Sequence, residues 1–297
     1  MRLSVAFLPT LLVAVAGCGG SDEAPTDPGG DPLDPSASWP TLIAADWSVP
    51  AGMEDYVCAR QTMTEDVFVA GFAGTDQPGA HHALLTLGVP DAPDGVAPCD
   101  FNTTFAVTTF AADAGTKPLE FPPGIATKIP KGTQLLLNVH LVNSTEAALS
   151  GSYGVRINTI TESEVVDRTE YFAAGTQRVT IPPRGTTTST GYCKLTNEFT
   201  LVAVAPHMHA LGRHEKVVAE TASGEITLFD GPYTFGQQAF TSLDPVKMAT
   251  GDRLRVECTH ENTTEAPVTN GPTLQNEMCM ASFFRYPVGG LAFCMDN

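Results

Sequence analysis

The sequence has few charged residues, few cations and no long helical pattern. Lys and Arg number 16 against 33 Asp and Glu, and charged residues make up 16% of the 297-residue chain. The net charge of −17 argues against a nucleic-acid partner, because phosphates attract basic surfaces. No long run repeats apolar residues at i, i+3, i+4 and i+7, while the chain holds 27 Gly and 23 Pro residues. These features exclude a helical protein and predict an all-β fold with many turns.

One continuous apolar stretch opens the chain, and it is too short to span a bilayer comfortably. It runs over residues 3–16, follows Arg2 and ends in small residues before Cys18, which predicts an export signal over residues 1–17. The segment Val15-Ala16-Gly17-Cys18 resembles a bacterial lipobox, which implies lipidation of Cys18. An ordinary signal peptide and a transmembrane helix are the alternatives. By resemblance to sorted lipoproteins, Gly19 favours the outer membrane, so we expect an exported, lipid-anchored cell-envelope protein.

The rest of the chain divides into a tether and two β-rich halves. Residues 18–38 are rich in Gly, Pro, Asp and Ser and predict a disordered tether. We expect two tandem antiparallel β-sandwich domains of jelly-roll type, over residues 39–163 and 164–297. The predicted strands are 56–60, 67–72, 82–89, 103–110, 134–142 and 152–157 in the first domain, and 169–172, 178–181, 191–194, 199–205, 216–220, 226–229, 253–259 and 279–286 in the second.

Histidines are concentrated in three places. His207 and His209 follow an apolar strand at i and i+2, so their side chains share a face and one metal ion could take both. His81 and His82 are adjacent and would point to opposite faces of a regular strand. A bulge or strand start after Pro78-Gly79 would let them converge.

His140 closes another apolar run. Imidazole suits Zn, Cu, Fe or Ni, and a soft thioether ligand favours copper. Met278, in the segment Asn276-Glu277-Met278-Cys279, is the candidate thioether. Taken singly, each of these residues is more often structural than a ligand. His214 and His260 match no pattern, and we expect both at the surface.

The order of these motifs resembles the type II copper, ascorbate-dependent monooxygenases, which include peptidylglycine α-hydroxylating monooxygenase and dopamine β-monooxygenase. The resemblance covers Tyr56 to the C-terminus. It includes the histidine pair, a strand ending in His, HxH-x-x-G-[RK] and E-M-C, together with segments without metal ligands: Tyr56-Val57-Cys58, Ile181-Pro182-Pro183 and residues 251–258.

This resemblance implies two copper ions per chain. It assigns an electron-transfer copper to His81, His82 and His140, and an oxygen-activating, catalytic copper to His207, His209 and Met278. It also implies a small-molecule substrate whose C–H bond is hydroxylated, dioxygen, and ascorbate or another one-electron reductant. We expect a monomer whose sole contact with the membrane is its lipid anchor.

Six cysteines remain once Cys18 is assigned to the lipid. An even number in an oxidising compartment indicates disulfides, but six cysteines allow 15 connectivities. The resemblance implies the pairs Cys258–Cys279 and Cys193–Cys294. Cys58 and Cys99 are then left to pair, which departs from the family, since no Cys lies near residues 149–151.

We expect a substrate different from that of the peptide-acting members. Where those enzymes hold a carboxylate with Arg, Asn and Tyr, this sequence has Ala205, Met280 and Ser282, so a bidentate cationic partner is missing. Met280, Phe283 and Phe284 would make an apolar pocket or belong to a strand core. Two other functions stay open: a copper-storage or copper-delivery protein without turnover, and a structural lipoprotein with remnant histidines.

Overall fold

The computed structural model describes residues 34–296 except 76, 101, 106, 114, 236, 237, 272, 274, 290 and 291. The predicted export signal and lipidated Cys18 lie outside the described residues. So does most of the predicted tether, whose last residues, Pro35–Ser38, form a 3-10 turn capped by Asp34. No helix in the described part of the chain is long and apolar enough to cross a membrane.

The fold is all-β, as predicted, and its N-terminal half contains two sheets. One has the strand order β1-β10-β3-β8-β11, with β7 paired to β3, and the other has the order β5-β2-β9-β4-β6. The strands are β1 (Thr41–Val49), β2 (Glu54–Thr62), β3 (Val67–Gly74), β4 (Ala80–Gly88), β5 (Gly95–Pro98), β6 (Val107–Asp113), β7 (Leu119–Glu120), β8 (Ile125–Ile129), β9 (Gln134–Val142), β10 (Leu149–Ile160) and β11 (Asp167–Arg168). A 3-10 turn at Glu162–Glu164 precedes β11.

The C-terminal half repeats this architecture with sheets of five and four strands, ordered β18-β15-β21-β12-β22 and β14-β19-β16-β17, and a small β13-β20 pair. The strands are β12 (Glu170–Thr176), β13 (Thr180–Ile181), β14 (Thr186–Lys194), β15 (Phe199–His207), β16 (Gly212–Thr221), β17 (Gly224–Pro232), β18 (Thr241–Met248), β19 (Arg253–Glu261), β20 (Val268–Thr269), β21 (Cys279–Tyr286) and β22 (Phe293–Asp296).

Several strands differ from the prediction for identifiable reasons. The strand expected at residues 103–110 begins only at Val107, because the side-chain amide of Asn138 donates to the carbonyls of Asp100 and Thr103 and holds this segment as a loop. Strand β18 was not predicted. It contains Pro245, which an edge strand tolerates because one side of its backbone is unpaired.

The two halves pack together through apolar side chains. The core of the N-terminal half continues into the C-terminal half through Val202, Ala203, Phe240 and Phe284. The Phe284 ring lies 5.1 Å from that of Phe121 and 4.9 Å from that of Phe240, measured between centroids. Because packed interiors resist deformation, this contact fixes how sites on the two halves face each other.

Three disulfides join cysteines in the described part of the chain, and all three are the expected pairs: Cys58–Cys99, Cys193–Cys294 and Cys258–Cys279. Cys258 and Cys279 are fully buried on β19 and β21, so their bond joins the two sheets of the C-terminal half. Three disulfides indicate that the chain folds in an oxidising compartment.

Candidate metal centres

Three histidines meet in the N-terminal half on neighbouring strands. His82 on β4 lies opposite His140 on β9, and the register between these strands shifts between Ala80 and His82. This irregularity follows Gly79, whose φ of +95° favours glycine. The predicted bulge is therefore present, and it lets His81 turn towards the other two rings.

The ring nitrogens of this cluster fit a metal ion. The Nδ1 atom of His82 lies 3.1 Å from Nδ1 of His81 and 3.4 Å from Nδ1 of His140. Two imidazole nitrogens bound at about 2.0 Å and near-tetrahedral angles to one ion lie about 3.3 Å apart. In the described part of the chain, one donor atom from each of these three histidines lies within 4.8 Å of the other two, so the three can hold one metal ion.

Partners outside the cluster hold His140 in the orientation for binding. Its Nε2–H donates to Glu54 Oε1 at 2.7 Å, and its ring stacks on Tyr56 with centroids 4.5 Å apart. Because Nε2 carries the proton, Nδ1 keeps the lone pair that a metal needs. Burial lowers the pKa of His140, and burial together with His140 and His81 lowers that of His82 to about 3. Both rings are thus neutral, which is the ligand state.

We expect Glu54→Ala to weaken copper binding at this cluster about tenfold, the low end of the 10–100-fold cost of losing such an outer partner, because Glu54 is exposed. A competition titration with a Cu(I) chelator, in a His209→Ala background that leaves one site, measures the change. Glu54→Gln keeps a neutral acceptor, so its copper affinity should lie between those of the parent chain and Glu54→Ala. Glu65→Ala, at an exposed loop position, should bind like the parent, and equal affinity of all variants would contradict the assigned role.

The second group of candidate ligands lies at the end of β15. This strand ends at His207, which is opposite Met280 on β21. Met208 is fully buried in the C-terminal core, and the Tyr233 hydroxyl donates to its carbonyl. His207 and His209 line one cavity, with ring centroids 5.7 Å apart. The shared face predicted from their i, i+2 spacing is therefore present, although the second histidine lies beyond the strand.

Hydrogen bonds select the same ring nitrogen on both histidines. The Nδ1–H of His207 donates to Gln238 Oε1 at 2.7 Å, and the Nδ1–H of His209 donates to the carbonyl of Asn276 at 3.0 Å. Each acceptor lacks a proton to give, so the histidine nitrogen must be the donor. Both rings keep the Nε2 lone pair for a metal ion. Burial and the neighbouring His209 lower the pKa of His207 to about 4, so this imidazole is neutral.

A buried carboxylate, that of Glu277, anchors the loop that carries His209. Glu277, fully buried, accepts the N–H of His209 at 2.8 Å and that of Leu211 at 2.6 Å, and lies 3.4 Å from His260 Nε2. His260 Nε2 also lies 3.0 Å from the carbonyl of Met278. Burial alone would raise the pKa of Glu277, but the bonds from His260, His209 and Leu211 outweigh it and lower that pKa.

The expectation that His260 lies at the surface was wrong, because its side chain is fully buried. The alternation along β19 contains the signal: Leu254, Val256 and Cys258 are buried at every second position, and His260 continues this face. His214 is partly exposed beside Asp230.

One cavity of about 480 Å³ reaches both groups of histidines. It is lined by His82 from the first group, by His207, His209 and Met278, and by apolar residues from both halves. Met280 also lines it, whereas Phe283 and Phe284 are buried in the two cores. Of the two alternatives, Met280 therefore belongs to the pocket, whereas Phe283 and Phe284 belong to the strand cores.

Two carboxyl groups near the sites carry no sequence motif and were not predicted. Glu215, fully buried on β16, accepts the N–H of His207 at 3.0 Å, and burial raises its pKa well above the usual value. Asp113, at the end of β6, lies opposite His82 and lines the cavity. Burial raises its pKa to about 7 against the opposing effect of backbone hydrogen bonds.

Comparison with known proteins supports the resemblance over the C-terminal half. Residues 169–297 match the family model for the copper type II ascorbate-dependent monooxygenase C-terminal domain. The chain is 27% identical over 246 residues to the human protein called putative DBH-like monooxygenase protein 2, which covers 72% of this chain. This chain spans about half of that relative, 48% of its length.

Solved structures with similar chain paths are distant. A Paenibacillus xanthan lyase covers 89% of this chain and 28% of its own at 10% identity and a TM-score of 0.23. The CUB1-EGF-CUB2 domain of human MASP-1/3 covers 82% of this chain and 98% of its own at 9% identity and a TM-score of 0.19. These scores are too low to bear on fold or function.

Proposed function

We propose that this chain is a copper-dependent monooxygenase, a proposal supported by the match of residues 169–297 to the family model for the copper type II ascorbate-dependent monooxygenase C-terminal domain. It would hydroxylate a C–H bond of a small organic substrate with dioxygen and a one-electron reductant such as ascorbate. The observation that carries the proposal is the single cavity that reaches both histidine groups. Copper, when bound, would supply the electron transfer and oxygen activation that these side chains lack.

The residues of each group have distinct roles in this proposal. The Nδ1 atoms of His81, His82 and His140 would hold the electron-transfer copper. The Nε2 atoms of His207 and His209, with the Met278 thioether, would hold the catalytic copper. Copper accepts both donor sets, the three imidazoles of the first site and the two imidazoles with a thioether of the second. The thioether favours Cu(I). The hydrogen bonds to Glu54, Gln238 and Asn276 keep the ring tautomers that leave those lone pairs free.

The cavity lining supports a mainly apolar substrate without a carboxylate. Among its described lining residues, none is Lys or Arg, and Asp113 is the carboxyl group. Ala205 and Ser282 lie opposite each other on β15 and β21, and the Ser282 hydroxyl lies 2.9 Å from that of Tyr171. A neutral hydroxyl pair can bind an alcohol or carbonyl, but it cannot neutralise an anion.

The remaining parts of the proposal concern the cellular setting. The disulfides support export to an oxidising compartment. We propose lipidation at Cys18 and attachment to the cell envelope as a monomer, on the basis of the lipobox resemblance. Labelling with a fatty-acid analogue, compared between the parent chain and Cys18→Ala, tests the anchor directly.

The function is tested by copper stoichiometry and oxygen consumption of the full chain. We expect two copper ions per chain and ascorbate-dependent oxygen uptake that rises when apolar alcohols, ketones or aromatic compounds are added. Product formed under ¹⁸O₂ should carry the label. Two bound copper ions with no uptake for any compound would support copper storage or delivery instead, and fewer than one copper per chain would contradict both functions.

A further inference from the structure

We propose that Glu215 is a positioning residue that fixes the backbone of His207 from the opposite sheet of the C-terminal half. The identity of the metal rests on the proposed function, whereas the contacts of Glu215 belong to the chain itself. Glu215 lies on β16 in the four-stranded sheet, and His207 ends β15 in the five-stranded sheet. The Glu215 carboxyl group therefore joins the two sheets next to a candidate metal ligand.

The backbone that carries the two histidines leaves its sheet at His207. In the described part of the fold, β18 pairs with β15 only as far as Val204, and the pairing of β21 with β15 ends at His207. Pro206 has no N–H to donate. Because an unpaired backbone group in the interior costs free energy, the N–H groups that follow need acceptors from outside the sheet.

Two buried carboxyl groups supply these acceptors. Glu215 Oε2 accepts the N–H of His207 at 3.0 Å. Glu277 accepts the N–H of His209 at 2.8 Å and that of Leu211 at 2.6 Å. Glu215 lies on β16 and Glu277 precedes β21, so the backbones of the two histidines are fixed from different elements.

The Glu215 side chain occupies a position where an apolar residue is expected. Glu215 and Val217 are two residues apart on β16, and both side chains are fully buried in the C-terminal sandwich. Among the described residues, the carboxyl group makes its one hydrogen bond to His207, and its Oε1 atom has no partner. A buried polar atom without a partner destabilises a core. Folding stability therefore gives no reason for a carboxyl group here, whereas the position of His207 does.

The consequence for the candidate metal site is geometric. Gln238 determines which ring nitrogen of His207 carries the proton, and Glu215 determines where the His207 backbone lies. A binding constellation must be held within about 0.5 Å of its productive geometry. Both restraints together place the Nε2 atom of His207 beside that of His209, so loss of either should weaken metal binding.

Two replacements of Glu215 separate positioning from stability. Glu215→Gln keeps a carbonyl acceptor for the His207 N–H and nearly the same shape, so it should behave like the parent chain. Glu215→Leu removes this acceptor together with the unpaired oxygen, and an apolar side chain of similar volume suits a buried position. We therefore expect the urea midpoint of the metal-free full chain to stay close to the parent's in both variants.

The positioning itself is measured at His207. In the metal-free full chain, hydrogen exchange of the His207 amide should be about tenfold faster in Glu215→Leu, because the amide loses its acceptor. A Cu(I) chelator competition in a His82→Ala background, which leaves the second site, should show a 10–100-fold lower affinity for Glu215→Leu, as for other outer partners. Glu215→Gln should keep the exchange rate and the affinity of its parent.

Leu254→Ala is the control for a general loss of stability. Leu254 is fully buried on β19 in the same core, and its truncation leaves a cavity without changing the hydrogen bonds of His207. This variant should lower the urea midpoint and leave the Cu(I) affinity of the second site unchanged. The control and Glu215→Leu should thus show opposite combinations of stability and affinity.

Three results would contradict the positioning role. The first is parent-like amide exchange and Cu(I) affinity in Glu215→Leu. The second is an equal loss of affinity in Glu215→Gln and Glu215→Leu, because the carbonyl acceptor would then make no difference. The third is a Glu215→Leu chain that does not fold, which would make the role structural. If the parent chain binds copper but shows no oxygen uptake, the proposed function fails and the positioning result stands.

Discussion

Replacing Met278 with alanine is expected to abolish ascorbate-dependent oxygen uptake and leave one copper ion bound per chain. Met278 supplies the soft donor of the proposed catalytic site, and the loss of a direct ligand should exceed the 10–100-fold cost of losing an outer partner. The expected fall in activity is therefore at least about 100-fold. Metal analysis and an oxygen electrode measure both results on the same samples.

Met280 offers a matched control for this substitution. Both methionines line the cavity, and Met280 lies opposite His207 on β21. Met278 differs in its backbone, because its carbonyl lies 3.0 Å from His260 Nε2 and its N–H donates to Glu277 at 3.3 Å. We expect Met280→Ala to retain both copper ions and to change the substrate KM more than kcat. If Met280→Ala lost the second copper and Met278→Ala kept it, the ligand assignment would be reversed.

Replacing Glu277 with alanine is expected to lower the free energy of unfolding by about 2–6 kcal/mol, because each buried polar group left without its partner costs about 1–3 kcal/mol. The substitution leaves a buried His260 without its carboxylate and removes the acceptor of the N–H groups of His209 and Leu211. Urea denaturation of the metal-free chain measures the change. The His209 loop should also lose its fixed position, so the second copper should bind more weakly.

Two variants define how this result is interpreted. Glu277→Gln retains a carbonyl acceptor of nearly the same size and should be less destabilised than the alanine variant. Glu265→Ala removes an exposed carboxylate that pairs with Arg184, and such surface pairs contribute little to stability. Equal effects of Glu277→Ala and Glu265→Ala would show that the buried network does not hold the loop.

The fold was predictable because two sandwiches produce a repeating pattern of alternation and turns. Strands with this pattern, such as β2, β9 and β15, were located to within a few residues. Strands β1, β5, β8 and β18 were not predicted. Strand β18 breaks the pattern with Pro245, and its edge position depends on which strands become its neighbours. A short segment of sequence does not show which strands will lie beside it in a sheet, so the edge position of β18 could not be predicted from its own residues.

Spacing and motif order determined which side chains could be ligands. The i, i+2 spacing of His207 and His209 and the apolar strand before them require a shared face, and both residues line the cavity. The His81-His82 pair required an irregular strand, and the register shift after Ala80 supplies it. The pairs Cys193–Cys294 and Cys258–Cys279 followed from the resemblance, Cys58–Cys99 was left by elimination, and all three are present.

Only the tertiary structure decided what surrounds those ligands. The tautomers of His140, His207 and His209 depend on Glu54, Gln238 and Asn276, which lie 86, 31 and 67 residues away in the chain. A sequence shows which groups can bind metal through their chemistry and spacing, whereas the hydrogen bonds that set a ring's proton come from whichever distant residues the fold brings within about 3 Å.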